Sequence, residues 1–210
     1  MVFSDRNEAG EMLARALEKY KGKDIIIYAL PKGGVVTATQ VAKKLHAPLD
    51  ILIIRKIGHP YNPEYALCAV SLNSQLVCDE EELAQVDKNW FQEELERQKV
   101  RAKEQYKLYN KNKKPLPAKG KIAIIVDDGI ATGLTIKAAI QEITRENPKK
   151  IIIAVPIVPK DVEQELKAVV DELIALEIPE EFIGSVGAYY NYFPQVSDEE
   201  VIKLLQKRTS

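Results

Sequence analysis

IAIIVDDGIATGLTIKAA, residues 122–139, is the stretch whose reading decides the fold. Ile122 to Val126 form an apolar run of strand length, and the run ends in the acidic pair Asp127-Asp128. Burying an unpaired carboxylate is strongly unfavourable, so this strand must open onto something polar. Gly133 then removes a side chain, Thr132 and Thr135 bring hydroxyls, and the chain runs into a helical pattern. A helix N-terminus offers free N–H groups and a dipole that favours an anion. A phosphate monoester suits that end. The vicinal hydroxyls of a sugar, or magnesium-bound water, suit the two carboxylates. Helix capping alone would account for one polar residue. It does not account for two adjacent acids, two threonines and a glycine.

Outward from this stretch the pattern repeats. DIIIYAL (24–30) reads as a first strand, followed by PKGG and a helix over about 35–45. PLDILIIRK (48–56) reads as a second buried strand, and GHPYNP (58–63) as a loop. YALCAVSLNSQLVC (65–78) reads as a hairpin turning at Asn73-Ser74. A long charged helix is expected over 87–109, with Leu95, Val100 and Leu108 as a thin apolar seam. After the strand at 122–127 come a helix (133–146), the strand KIIIAVPIV, a short helix opened by Pro159, and the strand DELIALEI. Asp198 starts a last helix running to Lys207, and Asp5 with Glu8 resembles a capping box for a helix over 5–20. Strands that are apolar throughout, alternating with helices, predict an α/β fold: a parallel sheet of about five strands with helices on both faces. Ligands bind such sheets beyond the strand carboxyl ends, where strand order reverses. If strands one and three are neighbours, LPKGGV (30–35) and DDGIATGLT (127–135) meet at one crevice.

Composition removes several function classes. Lys plus Arg number 30 against 31 Asp plus Glu, so no global charge attracts nucleic acid or an anionic membrane. IIIAVPIV is far shorter than the roughly 20 residues of a membrane helix, and MVFSDRNEAG lacks a signal-peptide core. A cytoplasmic protein is expected. Two histidines, His46 and His59, leave no His-rich metal site, and no nucleophile elbow accompanies them. Cys68 and Cys78 follow no CxxC or zinc spacing and read as free thiols.

IIVDDGIATGLT (124–135) resembles the phosphoribosyl pyrophosphate (PRPP) signature of the type I phosphoribosyltransferases. ALPKGGV (29–35) resembles their pyrophosphate loop, and RKIGHP (55–60) the RK-x-G-K-x-P stretch of the adenine enzymes. FSDRNEAG and the closing aromatic segment resemble a less characterised branch of that family. The resemblance implies one phosphoribosyltransferase-like domain over 1–210, with a lid and long-helix insertion at 57–115 and a hood at 179–196. Asp127 and Asp128 would hold the ribose hydroxyls, with Mg2+ nearby. Ala131, Thr132, Gly133, Leu134 and Thr135 would cradle the 5′-phosphate. Lys32, Gly33 and Gly34 would meet the pyrophosphate through a loop that often carries a cis non-proline peptide, and Arg55 and Lys56 would add positive charge. The plainer alternatives are a surface lysine and a solvated basic strand end.

The implied reaction is transfer of phosphoribosyl from PRPP to a small nitrogenous base, as in nucleotide salvage, with a homodimer as the expected assembly. Ala131 stands where 6-oxopurine enzymes carry Asp, and His59 where adenine enzymes carry Lys, so the motifs leave the base open. Tyr189, Tyr190, Tyr192 and Phe193 could stack a base or form a small core, and Glu64 could touch a base or stand in solvent. Two other classes stay open: a PRPP-binding regulator without catalysis, and a phosphate-ester hydrolase using the acidic pair.

Overall fold

The structure is a computed structural model that describes residues 2–110 and 114–206, without the Glu64 side chain. The expected helix end at Lys207, residues 111–113 of the insertion and the Glu64 contact lie outside the described residues.

Five strands, β1 (Ile25–Ala29), β2 (Leu49–Ile51), β6 (Ile122–Val126), β7 (Lys150–Ile157) and β8 (Glu172–Glu177), form a parallel sheet in the order β2-β1-β6-β7-β8. β1 and β6 are buried at every residue, because helices cover both faces. Ile25, Ile27, Ile122 and Ile124 face the helices α1 (Arg6–Ala16), α2 (Gly33–Leu45) and α7 (Asp198–Gln206). Their neighbours Ile26, Tyr28, Ala123 and Ile125 face α5 (Leu134–Thr144) and α6 (Lys160–Lys167). The period of two that assigns alternate residues to opposite faces thus makes two cores from one apolar run. Asp5 caps α1, accepting from the N–H groups of Asn7 and Glu8 at 2.8 and 2.9 Å.

PLDILIIRK is not one strand. Its first part is β2; its last part opens β3 (Ile54–His59), in a separate antiparallel sheet with β4 (Asn62–Ser71) and β5 (Leu76–Cys78). The change falls between adjacent residues. The Leu52 N–H donates to Ala29 O in the first sheet, while Ile53 O accepts from the Leu72 N–H in the second, each at 3.0 Å. Both halves are apolar, so hydrophobicity alone carries no mark of the change. GHPYNP is the tip of the β3–β4 hairpin, with its turn at Pro60-Tyr61. Gly58 lets the strands close there, since a Cβ would lie 2.3 Å from Pro63 O.

Cys68 and Cys78 are not free; they form a disulfide. They stand directly opposite in the β4–β5 ladder, which is where an antiparallel hairpin turning near Asn73 brings residues equidistant from its turn. The long helix α4 (Lys88–Asn110) also differs from expectation. It buries Leu95, Gln98, Ala102 and Tyr109, whereas Val100 and Leu108 are exposed. A short helix, α3 (Glu80–Leu83), precedes it. The small sheet lies between α4, which receives Ile57 and Val70, and α5, whose Leu134 and Ala138 meet Ala66 and Ala69. No described helix is long and apolar enough to cross a membrane.

Candidate active site

β1 and β6 pair in register from Ile25 opposite Ile122 to Ala29 opposite Val126, so both strands end at one level. The loops that follow therefore meet, at the point where strand order reverses. The approach is close. A Cβ on Gly33 would lie 1.8 Å from Asp128 Oδ2, and one on Gly34 2.7 Å from Asp127 Oδ1. Only glycine allows the first loop to lie against the acidic pair. The peptide bond between Pro31 and Lys32 in that loop is cis.

The acidic pair is held by Arg6, which the sequence does not single out, and by aromatics of the hood. Arg6 Nε donates to Asp128 Oδ2 at 2.6 Å, and Arg6 Nη1 donates to Pro194 O at 2.8 Å. The same guanidinium lies 3.6 Å from the centre of the Phe193 ring, a cation–π contact. Tyr190 Oη donates to Asp128 O at 2.6 Å. One arginine thus ties α1, the second carboxylate and the hood together. The Asp128 N–H donates to Asp127 Oδ1 at 2.9 Å. Burial, and then the neighbouring Asp128 charge, push the Asp127 carboxyl well above the usual carboxylate range, with Arg6 opposing them. Burial raises the Tyr190 hydroxyl as well, so it remains a donor.

Beyond Asp127 lies a cavity of about 240 Å³, lined by Lys56, Ala66, Gly129, Ile130, Ala131, Thr132, Gly133, Thr135, Ile136 and Val186. Gly133 precedes α5 with φ 79°, in the left-handed region that favours glycine. The first bond of this helix is from the Lys137 N–H to Gly133 O, at 2.9 Å. The N–H groups of the preceding turn have no partner within the helix, and such groups suit an anion. Ala131 and Thr132 are exposed there. Leu134, expected in the cradle, is not among the residues that line the cavity; it packs with Ala66, Ala69 and Ala138.

The basic residues fall on two sides. Lys56 lines the cavity with Asp127, whereas Arg55, on the opposite face of β3, turns to α4. Arg55 Nε and Nη1 donate to Gln98 Oε1 and Gln105 Oε1 at 3.1 and 3.3 Å. Lys32 Nζ reaches Asp198 Oδ1 at 3.0 Å. A second groove, of about 280 Å³, is lined by Lys32, Arg55, Arg101, Glu104, Gln105, Leu108 and Asp198.

The hood aromatics divide. Tyr189 and Tyr190 are buried with Phe3 and Ile157, and the guanidinium of Arg6 lies over Phe193. Tyr192 is exposed. Among the described residues no three His, Cys, Asp or Glu side chains converge as a metal cluster. Mg2+ is commonly held by one or two carboxylates with waters and phosphate oxygens. Asp127 and Asp128 could hold such an ion together with oxygens of a ligand. Such an ion would neutralise charge on the ligand's phosphates.

The model of the phosphoribosyl transferase domain matches residues 6–191. Two Mycobacterium tuberculosis proteins, from strains CDC 1551 and H37Rv, carry provisional phosphoribosyl transferase names, and each is 36% identical over 98% of this chain. The chain spans about half the length of these curated relatives, 47% of each. The crystal structure of TT1426 from Thermus thermophilus is similar over 100% of both chains, with a TM-score of 0.82 and 36% identity.

Proposed function

Since the chain belongs to the phosphoribosyl transferase domain family, we propose that it transfers the 5-phosphoribosyl group of PRPP to a nitrogenous base with release of pyrophosphate, with Mg2+ bound alongside. The observation that carries this reading is the meeting of three features in one cleft. The cradle at 131–135 opens α5, the acidic pair ends β6, and the paired glycines after β1 lie against those acids.

The residues divide the work as follows. The free amides of the first turn of α5, with Thr132 and Thr135, hold the 5′-phosphate. Asp127 and Asp128 accept from the ribose hydroxyls, with Arg6 fixing the orientation of Asp128. Lys32 and the Gly33 backbone meet the pyrophosphate, whose departure leaves positive charge on the ribose; Lys56 borders the same cleft. Positioning and electrostatic stabilisation then provide most of the rate. The β3–β4 tip is the lid that keeps water out, and Tyr192 is an exposed hood aromatic open to a base. A cytoplasmic homodimer belongs to the same reading, and sedimentation reads the assembly.

The test is a screen of purines, pyrimidines and related heterocycles with PRPP and Mg2+, following pyrophosphate release. Release that depends on one base supports the transferase. Micromolar PRPP binding with no release for any base would leave a PRPP-binding regulator on the same site.

A further inference from the structure

The second groove holds an electrostatic imbalance. Arg55 is half-buried, yet it donates to two neutral amide oxygens, those of Gln98 and Gln105. No carboxylate pairs with it among the described residues. Arg101 on α4 borders the same groove, and its charge, after burial, lowers the Arg55 pKa. Two guanidinium groups sharing a groove repel each other unless an anion lies between them. Two carboxylates line the groove. Asp198 is taken up by Lys32 and by the Tyr109 hydroxyl, which donates to it. Glu104 makes no ion pair with Arg101 among the described residues, although it lies one turn along the same helix.

We propose that Arg101 is a further anion-binding residue, which with Arg55 and Lys32 seats the diphosphate group of the ligand, and that Asp198 is the internal carboxylate holding Lys32 until that group arrives. This rests on the PRPP reading above. Arginine forks and a lysine point charge together match the oxygens of a diphosphate. The groove is continuous in sequence with the acidic cleft through Lys32-Gly33, the loop whose glycine touches Asp128. A ligand with a sugar diol over the acids would therefore extend its charged end along that loop. The long charged helix thereby becomes part of the binding site.

Calorimetry with inorganic pyrophosphate, in the presence of Mg2+, tests the assignment on the full chain. Arg101 is exposed, so Arg101→Ala should fold as the wild type does. It is expected to weaken pyrophosphate about tenfold, with Arg101→Lys recovering part of the loss. Ribose 5-phosphate, which reaches only the cradle and the acids, should bind both variants like the wild type. Asp198→Asn should strengthen pyrophosphate binding by releasing Lys32. Equal pyrophosphate affinity in wild type and Arg101→Ala, or no pyrophosphate binding by the wild type, overturns the proposal. The base screen fails or succeeds separately. Turnover with an indifferent Arg101 removes only the groove, whereas an Arg101-dependent pyrophosphate site without turnover removes only the transferase.

Discussion

The five-stranded and three-stranded sheets contribute opposite walls of one cleft, and they are held in place differently. The large sheet ends in a wall whose Asp128 is held on several sides. Asp128 is bonded by Arg6 on its side chain and by Tyr190 on its carbonyl, and Gly33 leaves it no room to turn. The small sheet is anchored at one end. Its base is crosslinked by Cys68–Cys78 and packed between α4 and α5, but its tip at Tyr61 is 92% exposed. In the proposed reading the first wall fixes phosphate and diol and the second closes over them.

The strongest way to break this comparison is Gly33→Ala. The added methyl would fall on Asp128 Oδ2. Relief requires Asp128 to leave Arg6, and both side chains are largely buried, at 16% and 9% exposure. Breaking such a pair costs about 3 kcal/mol, a fall in Tm of ~6–12 °C for a chain of this size. PRPP binding should be lost with it. Calorimetric melting and a PRPP titration check both. A variant that melts and binds like the wild type would show that the fixed wall is not fixed.

Asp128→Asn is milder, because it keeps the shape and removes a charge. Loss of one charged acceptor should weaken PRPP by roughly 1.5–3 kcal/mol, about 10- to 150-fold. Part of the change comes from leaving Arg6 without its carboxylate. The same substitution measured in an Arg6→Leu background separates the two contributions. If Asp128→Asn then has no effect on PRPP, the carboxylate serves Arg6 and not the ligand.

The same contrast explains what can be read from the sequence. β1, β6 and the loops after them are legible because each is contiguous: an apolar run, then the small, acidic and hydroxyl residues that the structure brings together at one cleft. Lys32 and Gly33 are legible for the same reason. Arg6 is not, since it lies 122 residues from Asp128 and no local pattern joins an arginine in a first helical turn to a distant carboxylate. Arg101 is hidden among the many charges of α4, where helical spacing does not distinguish a solvated arginine from one facing a groove. The break at Leu52 is invisible because both sheets ask for apolar residues there. The disulfide is a different case. The hairpin and both cysteines are in plain view, but motif spacing marks the thiols as free, whereas their symmetry about the turn at Asn73 pairs them. Cross-strand register is the missing step.

The smallest expected effect lies in the hairpin wall, and it sharpens the comparison most. The resemblance implies a lid within 57–115, and the structure makes its hairpin part, 57–80, uneven. Leu67, Cys68, Ala69 and Val70 are fully buried, and the ladder from Cys68–Cys78 to Val70–Leu76 is closed by the disulfide. At the other end the β3–β4 register shifts on both sides of Gly58, and Pro60-Tyr61 form an exposed turn. Few buried contacts and a broken ladder mean local opening at low free energy. Amide exchange in the free protein should therefore be fast at His59, Tyr61 and Asn62 and slow over 67–71. A PRPP analogue with Mg2+ should slow the tip by less than about tenfold, under ~1.4 kcal/mol, and leave the base unchanged. A tip indifferent to ligand would make the hairpin static scaffold. Slowing spread evenly over 57–80 would mean that the hairpin swings as one body, with its hinge at Leu52-Ile53, where the chain passes from one sheet to the other.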